Sequence, residues 1–195
     1  IYIFGYGSLI NKLSRNLTSI KTNKPIPAII SKDFGYKRVW NTQLNKNILV
    51  LGLEKNKKKD TSINGIIFKV KNNVLKKFIK RENHYKQIYI DSTYVKSYNK
   101  SNYIDVNTKI ITFVTKLPSK SHLKDNKNLK NENYSKKLYI VPLYLNIIIN
   151  GLQKYGNKFV SMFFDTTYGF PKSLNTYNKW KKNVNINKTC EILCN

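Results

Sequence analysis

Two stretches of this chain carry residue types able to do chemistry. The first is Gly5-Tyr6-Gly7-Ser8-Leu9, which follows a strand-forming run at residues 1–4. Only 8 glycines occur in the whole chain, yet two of them bracket one tyrosine. Glycine tolerates positive φ and lets the backbone approach a ligand with no Cβ in the way. A loop of this kind can leave several N–H groups pointing outward as an anion-binding nest. The dinucleotide pattern needs another glycine three residues after Gly7, where Ile10 stands, and the Gly-Lys-Ser/Thr of the phosphate loop is missing. A plain strand-to-loop turn fits the same spacing, so glycine spacing alone leaves both readings open.

The second stretch is NNVLKKFIKRENHY, residues 72–85. Leu75, Phe78, Ile79 and Glu82 are spaced i, i+3, i+4 and i+7, which predicts one shared helical face. Three of these are core residues and the fourth is a carboxylate. An ionised glutamate facing an apolar interior is costly unless it is paired or does chemistry. Burial raises its pKa toward the range of a general base. A frayed helix end, with Glu82 in water or paired to Arg81 or a lysine, fits the same residues. His84 and Tyr85, just downstream, carry weaker claims.

The elements that must position these residues read as mostly β with inserted helices. Residues 11–19 fit a short helix or turn, and 25–40 an extended run with Gly35 as a bulge or bend. Residues 47–55 read as a buried strand, 55–64 as a charged hairpin loop and 65–70 as a further strand. Asn72 and Asn73 are candidate helix caps. Residues 86–90 and 108–116 return to strand. From 142 to 164 the period is helical, with Leu145, Ile148, Ile149, Leu152 and Tyr155 on one stripe. The Lys/Asn/Ser-rich segment 118–136 reads as a mobile low-complexity insertion. This predicts one domain over 1–170 and a tail at 171–195.

Composition limits the alternatives. Of 36 cationic residues only Arg15, Arg38 and Arg81 are arginines, against a formal charge of +26. Base readout and bidentate phosphate contacts lean on Arg. Lysines scattered among loop asparagines read instead as a solvated surface, so no nucleic-acid partner is expected. Cys190 and Cys194 make no disulfide framework and no zinc site. No apolar run of about 18 residues is present, so no membrane partner is expected. Cytoplasm is the default location. Because the chain starts on Ile1 rather than Met, a removed leader segment stays open. Oligomeric state is left open.

Taken in order, FGYGSL (4–9), GYKRVW (35–40), GIIFKV (65–70), RENHY (81–85) and PLYLNIIINGLQKYG (142–156) resemble the γ-glutamylcyclotransferase superfamily. That superfamily includes ChaC-type and AIG2-like proteins. The resemblance implies an α+β fold, a small mixed β-barrel with flanking helices. It also implies cleavage of a γ-glutamyl amide by internal attack, giving 5-oxoproline and a free amine or peptide. No metal or other cofactor takes part in that reaction. By the same resemblance Glu82 matches the catalytic acid/base. Tyr6, Gly7, Ser8 and Leu9 match the segment whose amides hold the γ-glutamyl group, and Tyr144 matches a substrate-binding tyrosine. VWNTQLNKN stands where ChaC-type enzymes carry an R-G-T-P-like run, so the choice among γ-glutamyl substrates stays open. A catalytically silent ligand-binding or interaction module on the same fold is the alternative.

Overall fold

In the computed structural model of the chain, residues 1–20, 22, 24–44, 48–99, 104, 108–116, 139–170, 176 and 178–179 are described. Strands and helices follow in the order β1 (Tyr2–Gly5), α1 (Lys12–Asn16), β2 (Ile26–Ile30), β3 (Tyr36–Gln43), β4 (Ile48–Lys55), β5 (Ile63–Lys69) and α2 (Asn72–Arg81). They continue as β6 (Tyr85–Ile90), β7 (Val95–Ser97), β8 (Ile110–Thr115), β9 (Tyr139–Ile140), α3 (Pro142–Leu152), α4 (Asn157–Asp165) and β10 (Thr167–Tyr168). The first sheet has six strands in the order β6-β8-β1-β5-β2-β7, and the second has four in the order β10-β3-β4-β9. Both are mixed, since β1–β8, β3–β10 and β4–β9 run parallel while the other pairs are antiparallel. The α+β class is therefore as expected, with the strands pairing as two sheets and not as one closed ring.

β1 sits between β5 and β8, and its successive residues Ile3 and Phe4 are both fully buried. Successive side chains point to opposite faces, so both faces of the sheet are covered at this strand. On β5, Ile63, Ile66, Ile67 and Phe68 are all buried, as a strand with neighbours on both edges requires. That is why residues 56–62 do not close a hairpin: β4 stays in the small sheet while β5 crosses to the centre of the large one. The hairpin is β3–β4. The extended run 25–40 likewise divides between the sheets. It breaks at a short 3₁₀ turn (Lys32–Phe34) and at Gly35, whose φ of 74° is left-handed and free of Cβ strain. Thr42 on β3 and Thr115 on β8 tie the sheets together, with their hydroxyls 2.8 Å apart.

This topology delivers the two chemical stretches to one place. β5 runs antiparallel to β1 and ends beside Tyr2, where β1 starts. A ten-residue helix rises about 15 Å, close to the length of a four-residue strand, so α2 returns its C-terminus to the far end of β1. There the first loop leaves the sheet. β6 then begins at Tyr85, opposite Thr115 at the C-terminal end of β8, which is parallel to β1.

The helices differ from the sequence reading in three ways. α2 buries Val74 and Phe78 while Ile79 is 40 % exposed, so the buried stripe is rotated from the one expected. Its N-cap is Lys71 with no side-chain bond, and Asn72 is already helical. The helical segment after Pro142 is broken at Gly156, φ 92°, into α3 and α4. Leu145, Ile148, Ile149 and Leu152 are fully buried as the stripe predicts, and Tyr155 packs against the core more loosely. No described helix is long and apolar enough to cross a membrane. The segment 118–136, Cys190, Cys194 and nearly all of the tail lie outside the described residues.

Candidate active site

The first loop is a single 3₁₀ turn, Ser8–Ile10, entered through Gly7. Gly7 has φ −126° and ψ −132°, so of the two uses of glycine read in the sequence, positive φ is not the one made here. Close approach is the reason for the glycines instead. A Cβ on Gly7 would stand 3.1 Å from the Tyr144 hydroxyl, and one on Gly5 would stand 2.7 Å from the Leu9 Cβ. The turn closes through Ile10 N–H to the Gly7 carbonyl (2.9 Å) and Asn11 N–H to the Ser8 carbonyl (3.1 Å). Among the described residues, no turn or loop bond spends the N–H groups of Gly7, Ser8 or Leu9 on a backbone carbonyl. The Ser8 backbone is instead hydrogen-bonded to the Tyr144 phenol, and the loop borders a recess.

That recess, about 300 Å³ with its solvent mouth included, is lined by the loop residues and by Leu51, Glu82, Tyr85, Phe113 and Tyr144. All six residues singled out in the sequence therefore meet in one pocket. Glu82 is not on the helical stripe that suggested it. The helix ends at Arg81, and Glu82 is the C-cap (φ −91°, ψ 32°), so the turn into β6 aims its carboxylate. Its N–H still donates to the Phe78 carbonyl at 2.9 Å. The Glu82 side chain is 15 % exposed, and burial raises its pKa above the usual carboxylate value. The Arg81 guanidinium, with Nε 3.2 Å from Glu82 Oε1, pulls the other way but is outweighed. His84 is exposed and does not line the recess.

Three phenols surround the carboxylate. Tyr6 donates to the Phe113 carbonyl (2.7 Å) and Tyr85 to the Leu51 carbonyl (2.8 Å), so these two hydroxyls are committed to the walls. Tyr144, in the first turn of α3, faces the backbone of Leu51 and Ser8. Burial raises the pKa of all three, and the nearby Glu82 adds to the rise, so they stay protonated at neutral pH.

Sequence reasoning offered Arg81 only as a possible partner of Glu82, a pair the structure contains, and gave Arg15 and Arg38 no structural role; all three hold the first loop. Arg15 is buried and donates to the carbonyls of Leu9 and Ile10, both at 2.8 Å, with Phe68 beneath its guanidinium. Arg38, fully buried on β3, donates to the Tyr6 carbonyl (3.5 Å), the Asn64 carbonyl (2.6 Å) and Asn64 Oδ1 (2.8 Å). It also reaches Thr167, the Phe163 carbonyl and Thr166, and lies 4.1 Å from the Phe163 ring centroid. Among the described residues none of its partners is a carboxylate. Burial lowers its pKa to about 9, and it remains charged at neutral pH. Arg81 donates to Ser8 Oγ (3.2 Å), Ser14 Oγ (2.8 Å), Thr18 Oγ1 (2.9 Å) and the Ser14 carbonyl. The available signal was rarity. A chain that uses lysine almost everywhere keeps arginine only where a rigid fork must serve several acceptors.

The mixed two-sheet α+β fold is one shared with solved structures that include a γ-glutamyl cyclotransferase. A solved γ-glutamyl cyclotransferase aligns with a TM-score of 0.54 and 12 % identity, over 80 % of each chain. The uncharacterized protein loc79017 from Homo sapiens aligns with a TM-score of 0.54 and 14 % identity, also over 80 % of each chain. YkqA from Bacillus subtilis aligns with a TM-score of 0.52 and 16 % identity over 79 % of this chain, which spans 48 % of that longer one. No protein-family model and no curated protein matches the sequence. At these identities the likeness is one of fold.

Proposed function

We propose that this protein is a γ-glutamylcyclotransferase, cleaving a γ-glutamyl amide to 5-oxoproline and a free amine or peptide without a cofactor. The observation that carries this reading is the meeting of the half-buried Glu82 carboxylate with the glycine-bracketed loop Gly7-Ser8-Leu9 in one recess. The substrate's own α-amine attacks its γ-carbonyl carbon, forming a five-membered ring. Glu82 takes the proton from the attacking nitrogen and returns it to the leaving nitrogen as the γ-carbon–nitrogen bond breaks. No water is consumed. The loop N–H groups offer donors to the oxyanion of the tetrahedral intermediate, and Tyr144 closes the other side of the cradle. Holding a flexible glutamyl chain in its cyclising pose accounts for much of the rate, since effective molarities of well-oriented internal attack reach about 10⁵ M or more.

The direct test is incubation with glutathione, γ-glutamyl amino acids and γ-glutamyl amines, reading 5-oxoproline. Release from at least one substrate, abolished in Glu82→Gln, is the expected result. No release from any of them by well-folded protein would leave a non-catalytic ligand-binding module on the same fold.

A further inference from the structure

We propose that Arg81 is a positioning residue that locks the Glu82 carboxylate to the first loop through a single guanidinium. Its five donors span three elements. Nε holds Glu82 Oε1 at 3.2 Å, one terminal nitrogen holds Ser8 Oγ (3.2 Å) and Ser14 Oγ (2.8 Å), and the other holds Thr18 Oγ1 (2.9 Å) and the Ser14 carbonyl. Among the described residues, no other hydrogen bond joins Glu82 directly to the loop. Glu82 follows the last turn of α2, and Ser8 belongs to a loop that leaves β1 more than seventy residues earlier. The inference rests on the reading of Glu82 and the loop as the working parts of the recess, and it adds what sets their mutual distance.

Geometry makes a fork necessary. Arginine's planar donors serve several acceptors at fixed angles, whereas a lysine ammonium is one point charge on a flexible stem. The other groups that face Glu82 cannot substitute. Tyr6 from the loop, Tyr85 from β6 and Tyr144 from α3 are phenols that stay protonated at neutral pH and carry no charge to pair with the carboxylate. Lys116, beyond β8, is held on the neighbouring Asn83 carbonyl at 2.5 Å. Arg81 is the cation that favours the ionised carboxylate, and it does so from a position fixed by α1.

Two variants separate charge from geometry. In Arg81→Met the Glu82 carboxyl, followed by carbon-detected NMR and assigned by its loss in Glu82→Gln, should titrate at higher pH than in the unaltered protein. In Arg81→Lys the titration should lie nearer the original while kcat for a γ-glutamyl substrate still falls, by up to about 10²-fold, the cost of roughly 1 Å of misplacement. An unmoved Glu82 titration in folded Arg81→Met would overturn the ion pair's part. Full kcat in Arg81→Lys would overturn the positioning role. The NMR arm needs no substrate. A protein that turns over no γ-glutamyl compound would thus fail the proposed reaction while leaving the Arg81–Glu82 link independently decided.

Discussion

The hydroxyl of Tyr144 stands close against Gly7: a Cβ built there would lie 3.1 Å from it. The loop residue is thereby matched to a residue on α3 that is more than a hundred positions away. Gly7→Ala should push the hydroxyl aside by a few tenths of an ångström and lower kcat/KM. Gly7→Val should do more harm, because its branch has less room. Tyr144→Phe alone should cost about 0.5–1.5 kcal/mol, the worth of one hydrogen bond. If the contact is the cause, Gly7→Ala added to Tyr144→Phe should cost much less than Gly7→Ala alone. Additive losses in this double-mutant cycle would place the role of Gly7 elsewhere.

Glu82→Gln should lower turnover about 10²- to 10⁴-fold with the fold intact. Its effect on stability has the opposite sign. The folded-state pKa of Glu82 is raised, so the folded protein binds more protons than the unfolded one between the ordinary value of 4.5 and the raised one. Ionisation of Glu82 therefore costs stability as pH rises through that window. Glu82→Gln should melt higher than the parent at neutral pH, and the difference should shrink below pH 4.5. A thermal scan at several pH values reads this directly.

The same shift sets the pH dependence of the reaction. A general base must be ionised in the free enzyme, so kcat/KM should fall as pH drops through the raised Glu82 pKa. The acid limb should lie above the ordinary glutamate range. A limb at or below 4.5, with binding unaffected, would assign the base to another group.

Gly151→Ala should destabilise the protein although alanine is the better helix former. A Cβ at this position on α3 would come within 2.8 Å of the Asn11 backbone nitrogen, which cannot swing away as a side-chain tip can. Asn11 also caps α1 and donates to the Ile147 carbonyl at 3.0 Å. Helix propensity returns about 0.5–1 kcal/mol and overpacking costs about 1–3 kcal/mol, so the net loss should show as a lower Tm. A higher Tm would mean that α3 can lift off the loop without cost.

Arg38→Lys should cost about 3 kcal/mol or more. The buried Asn64 and Phe163 carbonyls and the Thr167 hydroxyl cannot all be served by one ammonium. The loss should appear in urea unfolding with an unchanged m-value, since the change lies in the native packing.

The sequence by itself determined what depends on neighbours along the chain. The strand at residues 2–5, the bend at Gly35 and the buried stripe of α3 are all set by local residue types and spacing. The FGYGSL and RENHY stretches were legible as chemical candidates for the same reason. Tertiary structure decided why they matter. Glu82 was suggested by a helical stripe that does not extend to it. It reaches the recess because α2 retraces the length of β1 and then ends one residue earlier. Gly7 was read as serving either positive φ or close approach, and only the structure shows that the close approach is to Tyr144. The three arginines were legible only as a rarity, with Arg81 a possible partner of Glu82, and each proved to be a support for one loop. The contact Arg81–Ser8 joins residues 73 positions apart, and Tyr6–Phe113 joins residues 107 apart. No period or propensity encodes such pairs. They exist only once burial of the two sheets has brought the strand ends together and made every carbonyl there require a donor.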